Sequence, residues 1–86
     1  MKHRATSTFW YLHRRLPDET RQLADENFKL LKTDSRHPSL HLKKVGNYWS
    51  VRIGLAHRAL ALEQQGDLIW FWIGDHGEYD RLVANQ

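Results

Sequence analysis

Cysteine is absent from this sequence of 86 residues, and proline occurs only twice. The lack of cysteine excludes disulfides, thiolate metal ligands and thiol nucleophiles, and it predicts a protein of the reducing cytoplasm. Long apolar runs are also missing, because the longest, Leu68–Ile73, is far too short to span a bilayer. The first ten residues lack the apolar segment of a secretory signal. We therefore expect one small domain over residues 1–86, with a packed core and no membrane partner.

Acidic residues are missing from one long stretch of the chain. The net charge is only +3 at pH 7, but residues 35–58 contain five Lys/Arg, three His and no Asp or Glu. Residues 1–16 also carry four Lys/Arg and no acid, whereas residues 17–34 and 59–86 are net acidic. A basic block within a globular chain favours a polyanion partner such as nucleic acid. The alternative is a charged face that is merely solvated.

Apolar residues recur at helical spacing in the first third of the chain. This spacing predicts a helix that Ser7 or Thr8 caps and that ends at Leu16, because Pro17 disfavours further helix there. A second helix should begin at Pro17 and run to about Lys32. The two form a helical hairpin with a very short connection. Residues 1–6 are predicted to be disordered.

Alternating apolar and polar residues follow the turn that ends the second helix. They predict strands beginning near Leu40, Trp49 and Arg58, each with one buried face. A fourth strand, Leu68–Ile73, is apolar throughout, as expected of a central strand covered on both faces. All four tryptophans are expected in the core, and residues 75–83 form a short closing helix or an irregular tail. The predicted fold class is α+β, with an N-terminal helical hairpin packed on a four-stranded, mainly antiparallel sheet.

Several segments occur together in a recognisable order, namely LPDETRQLADENFKLLKTDSRHPSLHLKKV, YWSVRIGLAHRALA and IGDHGEYDRL. With them the sequence resembles the RelE/ParE superfamily of toxins from type II toxin–antitoxin modules, over roughly residues 9–83. The resemblance implies a small toxin that a cognate antitoxin wraps and neutralises. RelE-like members cleave mRNA, usually on the ribosome and without a metal or other cofactor. ParE-like members instead poison DNA gyrase.

The resemblance leads us to expect a metal-independent endoribonuclease that acts on mRNA, with the ribosome as a second partner. A ParE-like inhibitor of DNA gyrase and an inactive, antitoxin-binding remnant are the alternatives. The first strand of the family is missing or very short here, so an edge of the sheet is expected to be open to an antitoxin strand by β-augmentation. The oligomeric state does not follow from the sequence.

Metal-free cleavage of RNA needs a base, an acid and cations that stabilise the phosphorane. Arg58 stands where the resemblance places the strand arginine, and Arg52 matches a second basic position on the preceding strand. Both are suited to phosphate because the guanidinium fork binds two oxygens at once. His76 matches the catalytic position after the last strand and can transfer a proton. Tyr79, one turn later, can assist that transfer or stack on a base.

Lys43 and Lys44 lie in the acid-free block, on the first predicted strand. They can position phosphates, or they can protect an edge strand from aggregation. Two positions depart from the family pattern, because several RelE-like enzymes have a lysine at the position of Ser50 and an arginine at that of His76. The missing charge must then come from the arginines and lysines named above.

Four other polar residues have weaker patterns. His37 and His41 are four residues apart, but Pro38 lies between them, so helical geometry and a shared zinc ion are not expected. Glu78 and Asp80 are expected to be solvated or paired, and either could orient His76. No metal ligands are therefore predicted.

Overall fold

Two helices joined by a short connection lie in the first part of the chain, as the sequence predicts. In this computed structural model, which describes residues 2–85, α1 spans Ser7–Arg14 and α2 spans Asp18–Thr33. The cap of α1 is Thr6, which lies just before the predicted caps. Its backbone is extended and its hydroxyl accepts a hydrogen bond from the Phe9 amide at 3.1 Å.

A single sheet and a third helix make up most of the remaining described chain. The elements are β1 His3–Ala5, β2 Lys43–Val45, β3 Tyr48–Ile53, β4 His57–Gln64, β5 Asp67–Asp75 and α3 His76–Ala84. The strand order is β1-β5-β4-β3-β2, and all pairs are antiparallel except β1 with β5. The predicted α+β class is confirmed, with five strands instead of four and with the closing segment helical.

β1 corrects two expectations about the start of the chain. His3–Ala5 form a strand parallel to β5, whereas residues 1–6 were predicted to be disordered; Met1 lies outside the described residues. The Trp70 indole donates to Nδ1 of His3 at 3.1 Å, and this contact helps to anchor the strand. Burial lowers the pKa of His3, and the charge of Lys32 adds to that effect. β1 therefore occupies the side of β5 that was expected to be open to an antitoxin strand.

The strand predicted from Leu40 begins later than expected. Pro38–Leu40 instead form one turn of 3-10 helix, and Leu40 is fully buried. His41 follows in the left-handed conformation, with φ of 46°. A residue in that conformation cannot continue a strand. β2 therefore starts only at Lys43.

Helices cover both faces of the sheet. α1 and α2 pack on one face, which we call the hairpin face, against side chains such as Val51 and Ile73. α3 packs on the opposite face, which we call the α3 face, where Tyr79 contacts the cluster formed with Leu60 and Trp72. The central strands therefore bury apolar side chains on both faces.

A β-bulge lets the apolar run of β5 serve both faces. The pairing of β4 with β5 shifts register between Leu60 and Ala61, which face Trp72 and Trp70 respectively. As a result Trp70 lies in the core under the hairpin and Trp72 in the core under α3. The sequence prediction of a strand covered on both faces is confirmed. The prediction of a core position is wrong for Trp10, which is 45% exposed.

Candidate active site

A polar cleft of about 300 Å³ lies on the α3 face. Its walls come from distant parts of the chain and comprise His41, Lys43, Ser50, Arg52, Arg58, His76, Tyr79 and Asp80. Three of these side chains are permanent cations and only one is a carboxylate. The fold thus brings together five of the six site residues predicted from the sequence, and Lys44 is the exception.

Arg52 and Arg58 are direct neighbours across β3 and β4. Like charges at such opposed positions repel each other. Within residues 2–85, neither guanidinium forms an ion pair with a carboxylate. The Nε atom of Arg52 is moreover buried, with no hydrogen-bond partner among the described residues. Two half-buried guanidinium groups without a counter-charge form a site that favours a bound anion.

The guanidinium of Arg58 is fixed by its surroundings. Nη1 donates to the backbone carbonyl of His57 at 2.7 Å and to that of Leu55 at 3.4 Å. Cζ lies 6.0 Å from the centre of the Tyr79 ring, a cation–π contact. Tyr79 is only 8% exposed, so its ring has little surface left for a nucleobase. The ring packs against the cluster of Leu60 and Trp72 and, on the side of the cleft, against Arg58.

His76 stands at the first position of α3, beside the turn that joins β3 to β4. Its amide donates to the carbonyl of Ala56 at 2.9 Å, which ties the start of α3 to that turn. Its Nδ1 lies 3.8 Å from Oδ2 of Asp80, one helical turn further on. Of the two acids considered from the sequence, Asp80 is therefore the one that pairs with His76, and Glu78 is not.

Asp75 caps α3 and so holds His76 in place. Its Oδ1 accepts from the Glu78 amide at 2.9 Å, and this hydrogen bond is the main cause of the lowered pKa of Asp75. A carboxyl with a lowered folded-state pKa stabilises the fold above its unfolded pKa, and this stability is lost as the pH falls through the folded value.

We expect Asp75→Ala to lower the melting temperature by a few degrees at pH 7, because α3 loses its cap. The difference from the parent should shrink as the pH falls below 3.8, the ordinary pKa of the group. Asp75→Asn keeps a capping oxygen and should melt close to the parent at pH 7. Thermal unfolding followed by circular dichroism across this pH range measures both effects. An alanine variant as stable as the parent at pH 7 would contradict the capping role.

The two lysines of β2 point in opposite directions. Lys43 pairs with Ser50 and lies in the cleft, whereas Lys44 pairs with Trp49, on the hairpin face. Ser50, at the position where several RelE-like enzymes have a lysine, is almost fully buried in the wall of the cleft. Lys43 is thus the lysine that adds positive charge next to the arginine pair.

His41 is the cleft residue that the sequence did not identify. Sequence reasoning considered it only as a partner of His37 for zinc, and His37 instead bonds Ser39 through Nδ1 at 2.8 Å. His41 Nε2 lies 3.4 Å from Nη1 of Arg52. The only signal for it was its position inside the acid-free block, two residues before Lys43.

Residues 2–85 contain neither a candidate metal-binding cluster nor a candidate membrane-spanning helix. No three His, Asp or Glu side chains in this part of the chain are grouped so that they could hold a metal ion. No helix that the structure describes is long and apolar enough to cross a membrane.

Several solved structures that resemble this chain over most of its length are described as toxins or as toxin complexes. The RelB–RelE antitoxin–toxin complex of Methanococcus jannaschii contains a chain with a TM-score of 0.69 and 18% identity, over 91% of this chain and 96% of that one. The YoeB/ParE toxin of Agrobacterium tumefaciens has a TM-score of 0.66 and 19% identity, over 88% and 99%. The isolated RelE toxin of E. coli has a TM-score of 0.62 and 9% identity, over 95% and 97%.

Sequence comparison alone finds no such relationship, because no family model and no curated protein matches the chain. The structural likeness extends over nearly the whole of each molecule, so it concerns the complete domain. It confirms the resemblance seen in the sequence motifs: this chain has the fold of the RelE, YoeB and ParE toxins.

Proposed function

We propose that this protein is the toxin of a type II toxin–antitoxin module and that it cleaves mRNA without a metal ion. The observation that carries the proposal is that Arg52 and Arg58 line one cleft together with His76 and that neither arginine forms an ion pair with a carboxylate among the described residues. Metal-free RNA cleavage needs cations that bind the phosphate and side chains that transfer protons, and the cleft contains residues of both kinds. The toxin fold supports the same conclusion.

The reaction is an attack of the 2′-oxygen of a ribose on the adjacent phosphorus. The bond from phosphorus to the 5′-oxygen breaks, which leaves a 2′,3′-cyclic phosphate on one fragment and a 5′-hydroxyl on the other. Arg52 and Arg58 bind the non-bridging oxygens, whose negative charge grows in the transition state. His76 donates the proton that the leaving 5′-oxygen needs. Tyr79 positions the guanidinium of Arg58.

Lys43 extends the positive surface beyond the scissile phosphate. Its position beside Ser50 on the wall of the cleft suits contact with a neighbouring phosphate of the same strand. Lys44 lies on the other face of β2, so its contribution is limited to long-range attraction of RNA. The cleft is open to solvent at His41, Lys43 and His76, which allows a strand to enter from the surface.

The partners proposed are a cognate antitoxin, mRNA and the ribosome. One solved relative is a complex of the toxin RelE with the antitoxin RelB, which supports the first of these. The described sheet has two edge strands, β1 next to β5 and β2 at the opposite end, and an antitoxin strand could add to either of them.

The test uses the purified chain and a single-stranded RNA labelled at its 5′ end, in buffer that contains EDTA. One arm contains RNA alone and a second contains the same RNA on programmed ribosomes. We expect fragments with a 2′,3′-cyclic phosphate in at least one arm, and none from a substrate with 2′-deoxyribose at the cut position. Intact RNA in both arms would overturn the proposal. Inhibition of gyrase supercoiling by the same preparation would then identify the ParE-like alternative.

A further inference from the structure

His41 occupies a constrained place in the cleft. It follows the 3-10 turn Pro38–Leu40, and its amide donates to the carbonyl of Pro38 at 3.3 Å. Its φ of 46° places it in the left-handed region, which few residues other than glycine adopt. The side chain is thereby turned to the α3 face, into the cleft that also contains Arg52 and His76. Residues in such sparsely populated conformations are concentrated at functional sites.

We propose that His41 is the general base of the cleavage reaction and that His76 is the matching acid. The inference rests on the proposed function and completes it, because in-line attack needs a proton acceptor at the 2′-oxygen and a donor at the 5′-oxygen. The two oxygens lie on opposite sides of the phosphorus, so one side chain cannot serve both in a single step. The structure supplies a second histidine in the same cleft.

The hydrogen bonds of His41 assign it the role of base. A guanidinium can only donate hydrogen bonds, so Nε2 of His41, 3.4 Å from Nη1 of Arg52, is the acceptor in that contact. In this contact the Nε2 lone pair of His41 is directed at the group that binds the phosphate. The contact is long, so a phosphate oxygen can replace it as the partner of Nη1. Nε2 is then free to accept the proton of the 2′-hydroxyl beside that phosphate.

The surroundings of His76 assign it the complementary role. Its Nδ1 faces the carboxylate of Asp80 at 3.8 Å, which pairs with the protonated ring. Within residues 2–85 His41 forms no ion pair with a carboxylate. The charged groups that line the cleft with it are Lys43, Arg52, Arg58 and the His76–Asp80 pair, and a second recess that it lines contains Arg36 and His37.

Protons and bonds balance in the resulting step. The 2′-hydroxyl proton passes to Nε2 of His41 as the bond from the 2′-oxygen to phosphorus forms. The bond from phosphorus to the 5′-oxygen breaks, and the electron pair on that oxygen takes a proton from His76. His41 ends protonated and His76 neutral, and exchange with water restores both.

The experiment compares His41→Asn and His76→Asn with the parent in single-turnover cleavage of RNA. Asparagine tolerates the left-handed conformation at residue 41, so the turn is preserved. We expect each variant to lose about 10²–10⁴-fold in rate. His57→Asn is the matched control, because His57 lies on the hairpin face of β4, outside the cleft. This variant should cleave RNA at the parental rate.

Two readouts separate a base from a residue that only shapes the turn. The parent should show a bell-shaped pH dependence, with the limb at low pH absent from His41→Asn and the limb at high pH absent from His76→Asn. A substrate with sulfur in place of the bridging 5′-oxygen needs no acid, because thiolate is a good leaving group. It should restore the rate of His76→Asn and leave His41→Asn slow.

A His41→Asn protein that keeps the parental rate and both limbs overturns the assignment while leaving the RNase function intact. Rescue of His41→Asn by the sulfur substrate would also overturn it, since that would make His41 an acid. RNA left intact by the parent itself would refute both the function and this inference.

Discussion

Replacement of Arg58 by alanine should lower the rate of RNA cleavage by about 10²–10³-fold, the usual cost of losing one donor that stabilises the transition state. Arg58 is expected to have this effect because its guanidinium is already fixed by two backbone carbonyls and by Tyr79. Such preorganised cations need little rearrangement when charge develops on the phosphate. Arg58→Lys should cleave RNA at a rate between those of the parent and Arg58→Ala, because lysine keeps the positive charge but lacks the two-pronged guanidinium.

Initial rates with saturating RNA and growth after induction without antitoxin provide the two measurements. Arg14→Ala is the matched control, because Arg14 is an exposed arginine on α1, the helix that covers the other face of the sheet. It removes the same net charge and should leave both readouts at the parental level. Loss of activity in both variants would indicate a general effect of charge. A fully active, folded Arg58→Ala protein would refute the site.

Phe9→Ala is expected to have the largest effect on stability. Phe9 is 1% exposed, and its ring contacts Phe28 edge-on with centroids 5.3 Å apart and Trp10 with centroids 5.2 Å apart. Truncation of such a residue costs about 3–5 kcal/mol. The total stability of a domain of this length is about 4–13 kcal/mol, so this loss removes at least about a quarter of it and should lower the melting temperature by about ten degrees or more.

Urea denaturation followed by tryptophan fluorescence gives the free energies of unfolding. Tyr11→Ala, two residues away on the same helix, is the control. Tyr11 is 52% exposed, so its replacement should lower the free energy of unfolding by less than about 1 kcal/mol. Equal losses for the two variants would mean that α1 is not packed on the sheet as described. A destabilised Phe9→Ala protein should also be less toxic in cells, since less of it is folded.

The sequence predicted the helical hairpin and the long strands because their patterns are local. Pro17 separates the two helices, and the alternation of Trp49, Val51 and Ile53 reports one buried face directly. The apolar run Leu68–Ile73 was correctly interpreted as covered on both faces. The bulge that produces this arrangement has no sequence signal, because it depends on the register of β4 against β5.

β1 and His41 could not be predicted for a different reason. A three-residue strand such as His3–Ala5 is too short to show a period, and it exists because β5 offers it a partner at the other end of the chain. His41 alternated with Leu40 and Leu42 as a strand residue would, but the 3-10 turn and the left-handed backbone direct it to the cleft. Arg52, Arg58 and the α3 residues were found because the resemblance fixed their order along the sequence.

The composition of the cleft also determines when the candidate site can be complete during synthesis of the chain. Its walls include His41, near the middle of the chain, and Asp80, on α3. The site therefore cannot be complete until nearly all of the second half of the chain is present. A nascent chain emerges from its N-terminal end, and small domains fold as units once enough of them is outside. If the protein is the RNase proposed above, a nascent chain should therefore be unable to cleave RNA until α3 has left the exit tunnel, which gives a cognate antitoxin that interval in which to bind.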